Sequence, residues 1–368
     1  MRTTTLPIVL FTAFATSLVA QSTSVAVPAH ANQVDGQQSL SMPFGKAGFR
    51  TQLLVSANSV AATAGVISGL RFRADRASAP LAATSVPNVT VSLSHCSLGL
   101  GGLQTTFANN VTSAATQVFS GAVNLPAQAT GYAGPMGWDI VITFPQPYVF
   151  TPTQGDLLID IVGNNAANAP ANFYLDAMQG GGSATKFGVA GDNPSFDFLN
   201  LVVGASGGRP RDLSPGNTVE FTTTTGWTTP AGVTAIGFDG LPAPFDLGPL
   251  GAPTHSVYIN PIATVPHSWQ GSFIGWYTTA AVAIPNHPAF IGLPLYGQSV
   301  CFDPTANALG ILTSEAGEVR VGDAFEQFPM QQVNAADPAA ATGTLVNFGN
   351  ISTPEFGAVP VMLEGIFQ

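Results

Sequence analysis

Short runs rich in Val, Ile, Phe, Thr and Tyr recur along most of the chain, each closed off by a cluster of Gly, Pro or Asn. In Asp139-Ile140-Val141-Ile142-Thr143-Phe144 the even-numbered positions are all apolar, which is the period of a strand with one face toward a core. The same reading predicts strands over 49–56, 66–72, 89–95, 116–123, 157–162, 172–175, 198–203 and 218–222. After a break it predicts strands over 234–238, 256–260, 272–284, 299–302, 308–313 and 318–321, with closing strands over 344–348 and 359–367. No window carries a long capped amphipathic helix, and the helix-favouring Glu and Lys are scarce. Strands at this spacing, punctuated by Gly and Pro, predict an all-β chain: two antiparallel β-sandwich or jelly-roll-like domains, with almost no helix after an N-terminal leader.

The leader is residues 1–31. Arg2 gives a positive start, 6–20 (LPIVLFTAFATSLVA) is an uncharged apolar run, and Ala29-His30-Ala31 has the small-x-small form read by signal peptidase. Ala20 and Ala26 are alternative ends. The apolar run is shorter than the ~20 residues of a membrane span, so it reads as a secretory signal, with a retained anchor as the alternative. The expected location is secreted or extracytoplasmic.

The first β domain is expected over 40–222. A linker over 223–232 lies in the Thr/Gly/Pro stretch TTTTGWTTPAG (222–232). A second β module follows over 233–323, and 324–368 forms a C-terminal extension with a loop at DPAAATG (337–343) and closing strands.

Charge changes the picture by its scarcity. Charged residues are 8% of the chain, the formal net charge is −10, and Lys46 and Lys186 are the only lysines. Residues 77–138 and 247–302 hold no Asp, Glu, Lys or Arg at all. A chain this apolar and this weakly charged is expected to fold, with a surface made polar by hydroxyls and amides. The acidic balance excludes a nucleic-acid partner, because no basic stripe meets phosphates; Arg71, Arg73 and Arg76 cluster, but Asp75 lies among them. Seven prolines within 247–302 argue against a helical membrane span after signal removal.

The second half resembles a C-terminal β module of uncharacterised secreted bacterial two-domain proteins. That module opens on LG-x-x-G-x-P, here Leu247, Gly248, Gly251 and Pro253. It continues with L-x-G-x-x-L-Y-x-Q, here carrying Leu293, Tyr296 and Gln298 with Phe290 where the pattern has Leu, and with N-x-L-G-x-x-T-S, here Asn307, Leu309, Gly310, Thr313 and Ser314. The resemblance implies a fold of turn and core residues and brings no activity with it.

Candidate chemistry is sparse. Gly204-Ala205-Ser206-Gly207-Gly208 satisfies G-x-S-x-G, but prolines follow where a hydrolase elbow needs a helix. Asp156 and Asp160 share a strand face, and Asp192 and Asp197 are loop acids; a polysaccharide hydrolase would draw its carboxylate pair from such residues. Asp303 and Asn307 are the candidate calcium ligands, against an Asx-type turn. No other cofactor is expected. His255, His267 and His287 lack metal-ligand spacing. Cys96 and Cys301 are an even pair in an oxidising compartment, forming either one disulfide or two buried thiols. His95 precedes Cys96 and on a strand would face away from it. Trp269, Trp276 and Tyr277 flank a Gly/Ser/Thr segment and could stack on sugar faces. Asn88, Asn110 and Asn350 head glycosylation sequons. The leading expectation is a non-catalytic secreted β protein of surface-structural, adhesive or glycan-binding role, whose partner is an extracellular glycan or cell-surface protein. The alternative is the extracellular polysaccharide hydrolase.

Overall fold

The computed structural model describes residues 23–36, 38–61, 63–75, 80–128, 135–164, 173–192, 199–206, 212–226, 228–272, 275–323, 328–348 and 357–367. The described chain is nearly all antiparallel β structure, with α1 (Ala57–Val60) and α2 (Phe107–Asn110) as its two short α-helices. No helix among the described residues is long and apolar enough to cross a membrane.

The strands of the first half are β1 (Thr23–Val27), β2 (Gln38–Leu40), β3 (Gly48–Val55), β4 (Gly65–Phe72), β5 (Thr84–Cys96), β6 (Thr116–Leu125), β7 (Ile140–Phe150), β8 (Asp156–Asn164) and β9 (Leu175–Ala177). Next come β10 (Gly181–Phe187), β11 (Leu199–Ala205), β12 (Thr218–Thr225), β13 (Ala231–Gly237), β14 (Asp239–Asp246) and β15 (Ser256–Asn260). They are followed by β16 (Ala263–Pro266), β17 (Gln270–Ser272), β18 (Gly275–Ala283), β19 (Pro294–Phe302) and β20 (Ile311–Asp323). The chain then returns with β21 (Met330–Ala335), β22 (Thr344–Leu345) and β23 (Val361–Phe367).

Two sandwiches result. In the first, the sheet β1-β23-β4-β7 lies against β22-β21-β3-β8-β5-β6. Strand β7 shows why: Ile140, Ile142, Phe144, Tyr148 and Phe150 point inward and bury, while Val141, Thr143 and Val149 face out. Phe44 packs edge-on against Phe49 and Phe72, with ring centroids 5.6 and 5.7 Å apart. In the second sandwich, β10-β20-β19-β13-β16 faces β11-β12-β18-β17. Gly297 and Gly317 pair across β19 and β20 and leave room for the opposite sheet. A Cβ on Gly297 would lie 2.3 Å from the Phe221 ring, and one on Gly317 would lie 2.0 Å from Val203 Cγ2.

The sheets divide the chain elsewhere than the sequence suggests. Strands β10, β11 and β12 belong to the second sandwich, so its first residue is near Gly181 and not 233. The 223–232 stretch lies inside it: Thr223 and Thr225 are buried in β12, and β13 begins at Ala231. The Thr-rich run has the composition of a linker, but β-branched Thr suits strands, and the buried Thr223 and Thr225 hydroxyls are bonded to Ser299 and to the Thr228 carbonyl. Strands β21, β22 and β23 complete the first sandwich, so the second is an insertion between β9 and β21.

The region read as the tail of the leader is also built in. Strand β1 pairs with β23 along its whole length, from Thr23 opposite Gly365 to Val27 opposite Val361. His30 and Ala31 lie buried in a short 3-10 turn over Ala29–Asn32. Residues 1–22 lie outside the described residues.

Candidate functional site

Strand parity decides what the aromatic candidates can do. Trp276 and Tyr277 are adjacent on β18 and therefore point to opposite faces. Trp276 lies inward on the side of buried Thr278 and Ala280, over Gly271 of β17, where an added Cβ would meet its ring at 3.2 Å. Trp269 is tied down as well. Its Nε1 donates to the Pro230 carbonyl at 2.7 Å, and its ring stands edge-on to His267 at 5.1 Å. Of the three, Tyr277 alone is on the outer face.

That outer face is a set of cross-strand rows. Asn200, Thr224, Tyr277 and Gln270 form the first row, Val202, Thr222 and Thr279 the second, and Gly204, Glu220 and Ala281 the third. The Tyr277 hydroxyl donates to Gln270 Oε1 at 2.8 Å. Thr222 and Thr279 share a hydroxyl–hydroxyl bond at 3.0 Å. Lys186 reaches the edge of the face, donating to Asn200 Oδ1 and Glu315 Oε1 at 2.9 Å each. Glu220 is the one charged side chain within these rows. The face is open and amide- and hydroxyl-rich, so the rows around Tyr277 offer mostly uncharged donors and acceptors.

The candidate metal and carboxylate residues are engaged in structure. Asp303 Oδ1 accepts from Thr305 N at 2.8 Å and from Thr305 Oγ1 at 2.6 Å. Asn307 donates to the Ile311 carbonyl at 2.7 Å and accepts from Ile311 N at 3.2 Å. Together they close the β19–β20 turn from their own side chains. Asp156 accepts from Ala57 N at the start of α1 at 2.9 Å. Asp160 holds Arg50 at 2.7 Å and Gln52 at 2.9 Å. Asp192 accepts from His255 through its carbonyl, and Asp197 lies outside the described residues. Ser206 ends β11 in an exposed position, with 207–211 outside the described residues. A depression of about 250 Å³ lined by Pro87, Asn88, Ser120, Asn164 and Pro338 holds no titratable side chain. Asn88 is exposed at its rim, whereas Asn110 is fully buried on Gln52 and Gln104.

The disulfide does not form. Cys96 and Cys301 are both free and buried, in different sandwiches. Cys96 packs with Leu54, Leu103 and Phe107, and Cys301 with Leu199 and Leu312. Neither is an activated nucleophile. Cys301 Sγ sits 3.8 Å from His267 Nδ1, yet burial pushes the thiol up to about 12 and the imidazole down to about 4, so both are neutral. His95 turns from Cys96 toward β7. Its Nε2 accepts from Thr151 N at 3.1 Å, so Nδ1 carries the proton toward Tyr148 Oη at 3.0 Å, and the ring stacks on Phe150. His255 is pinned likewise, accepting from Thr313 N through Nδ1. The His287 ring caps Ala289 N.

One constellation joins residues that lie far apart in the sequence. Arg73 and Asp176 form an ion pair with each side chain 1% exposed, through Nε at 2.8 Å and also through Nη2. Nη1 donates to the Ala31 carbonyl and Nη2 to that of Val34, while the guanidinium lies 5.2 Å from the centre of the Trp138 ring. Gly36 N donates to Asp176 Oδ1 at 2.7 Å. Asp35 and Asp75 bring their carboxylates within 4.8 Å of that of Asp176. Burial pushes the Asp176 carboxyl upward against the pull of Arg73. His30 beside them is held down at about 4 by burial and then by the Arg73 charge. With Arg73 anchored on β9 and on 31–34, the cluster ties the N-terminal segment to the first sandwich. Its one sequence cue is the nearness of Arg73 and Asp75 in a chain with little charge.

No family model, curated protein or solved structure matches the chain.

Proposed function

We propose that this is a non-catalytic exported β protein that recognises a neutral glycan on the outer face of β11, β12, β18 and β17. The carrying observation is the Asn200–Thr224–Tyr277–Gln270 row, continued by Val202–Thr222–Thr279. It sets one aromatic ring among amides and hydroxyls on an open sheet, and sugars are met by that combination of an apolar ring face and hydrogen-bonding edges. Engagement of Asp156 and Asp160 by Ala57, Arg50 and Gln52 favours this reading over a hydrolase built on that pair.

Retention of the exported protein on insoluble cellulose, chitin and xylan tests it. Binding is expected on at least one polymer, weakened at least about tenfold by Tyr277→Ala, which is 1.4 kcal/mol. It is also expected to change little with salt, because the ligand is uncharged. Retention on none of them, or retention unchanged in Tyr277→Ala, sinks the assignment of this face.

A further inference from the structure

We infer that the leader is removed between Ala20 and Gln21, and that the mature protein begins at Gln21. This rests on the export reading and deepens it. Three alanines offer an end for the leader: Ala20 closes the apolar run, and Ala26 and Ala31 end the small-x-small triplets Ser24-Val25-Ala26 and Ala29-His30-Ala31. Two of them are parts of the fold. Ala26 is 4% exposed in β1, and Val27 beside it is fully buried in the main core. A cut after Ala26 would divide β1 inside its ladder with β23.

A cut after Ala31 would remove more. It would strip β1 and leave β23 as an unpaired edge. It would empty the site of Val27 in the core, and take away the Ala31 carbonyl that accepts from the buried Arg73 guanidinium. A donor left without its acceptor in the interior is strongly unfavourable, above all a charged one. The His30 carbonyl also receives Gln33 N and Val34 N, which positions Val34 for its own bond to Arg73. A segment discarded before folding cannot supply these contacts. Ala20 is the one of the three that lies upstream of Thr23, the first residue of the β1 ladder.

In the cut, water adds across the Ala20–Gln21 amide under a leader peptidase, leaving a carboxylate on Ala20 and an amine on Gln21. The freed amine can then close on the Gln21 side-chain amide. A new C–N bond forms to Cδ, and the old one breaks to release ammonia.

The test is the intact mass and N-terminal peptide of the full-length chain, expressed in an exporting bacterium and purified from outside the cytoplasm. The expected mature protein starts at Gln21, with or without loss of one ammonia. Ala20→Phe, which places a bulky ring where the peptidase needs a small residue, is expected to leave the precursor uncut. A start at Val27 or Asn32, or normal processing of Ala20→Phe, overturns the site and leaves export standing. A wild-type chain that is never cut overturns both.

Discussion

The two sandwiches share an architecture and differ in what fills them. The first is packed with Phe44, Phe49, Phe72, Phe150, Ile67 and Leu53, all fully buried, beside the buried ion pair of Arg73 and Asp176 and the buried amides of Gln52, Asn110, Gln331 and Gln332. The second has a smaller apolar cluster, led by Phe221, Leu201 and Val219. Much of its remaining interior is hydroxyl and amide: Thr223, Thr225, Thr234, Thr278, Ser299, Thr313, Ser314 and Gln298 are buried. Thr223 bonds Ser299 across the two sheets, and Gln298 holds Tyr258 N at 3.0 Å and the carbonyls of Ser256 and Ser314. The first sandwich therefore leans more on area removed from water, and it holds the ion pair whose breaking is costly. The second, with its smaller apolar cluster, leans more on bonds that each add little but are expensive to leave half-made.

The sharpest break in this contrast is Arg73→Met. It leaves Asp176 buried without its counter-ion and is expected to cost about 3–5 kcal/mol. Hydrogen exchange read by mass spectrometry should show the loss across β3, β4 and β23, with β12 and β19 unchanged. A loss below about 1 kcal/mol would remove the ion pair from the account of the first sandwich.

Acid comes next. His30 is neutral in the fold with its pKa lowered to about 4, while in the unfolded chain it titrates at the ordinary 6.5. Between these values the unfolded state binds more protons. Stability is thus fully present above pH 6.5 and falls as the pH drops toward 4, by about 3 kcal/mol from this group. His30→Met should flatten that slope in the first sandwich. Burial lowers His267 in the same direction, so the second sandwich is expected to keep its own acid sensitivity in that variant. Denaturant titrations at pH 7 and pH 4.5 would separate them, and an unchanged slope in His30→Met would assign the acid response elsewhere.

The smallest effect sharpens the other half. Thr223→Val leaves the Ser299 hydroxyl buried without its partner and is expected to cost about 1–3 kcal/mol, whereas Thr223→Val with Ser299→Ala should recover most of that. Equal losses in the single and double variants would show that packing, and not the bond, matters at this point.

Strand β7 was legible because its apolar positions alternate, and β15 because it is a compact β-branched run. Strand β21 was not, since its Gln331 and Gln332 are both buried and break the two-fold pattern. Strand β14 holds two prolines and stays exposed, so it reads as loop. Strand β10 is opened by small residues, and β1 has the composition of a leader's exit. The opposite orientations of Trp276 and Tyr277 follow from strand period alone. The Arg73–Asp176 pair does not, because 103 residues separate the partners and only the finished topology brings them together.

The chain leaves the first sandwich after β9 and comes back before β21, and Gly181 and Asp323 at the two ends of that excursion are direct partners in the β10–β20 ladder. The inserted sandwich is therefore joined to its host by a neck two backbones wide, with Gln33 of the N-terminal segment lying against Gly292 as a further contact. To the host sandwich it is equivalent to a long loop whose ends are already clamped together, and lengthening such a loop costs little. The same neck makes the insert exchangeable: residues 181–323 could be replaced by another domain whose ends lie side by side, with the host ladder undisturbed. A fold built this way can change what it presents outward without renegotiating how it stands.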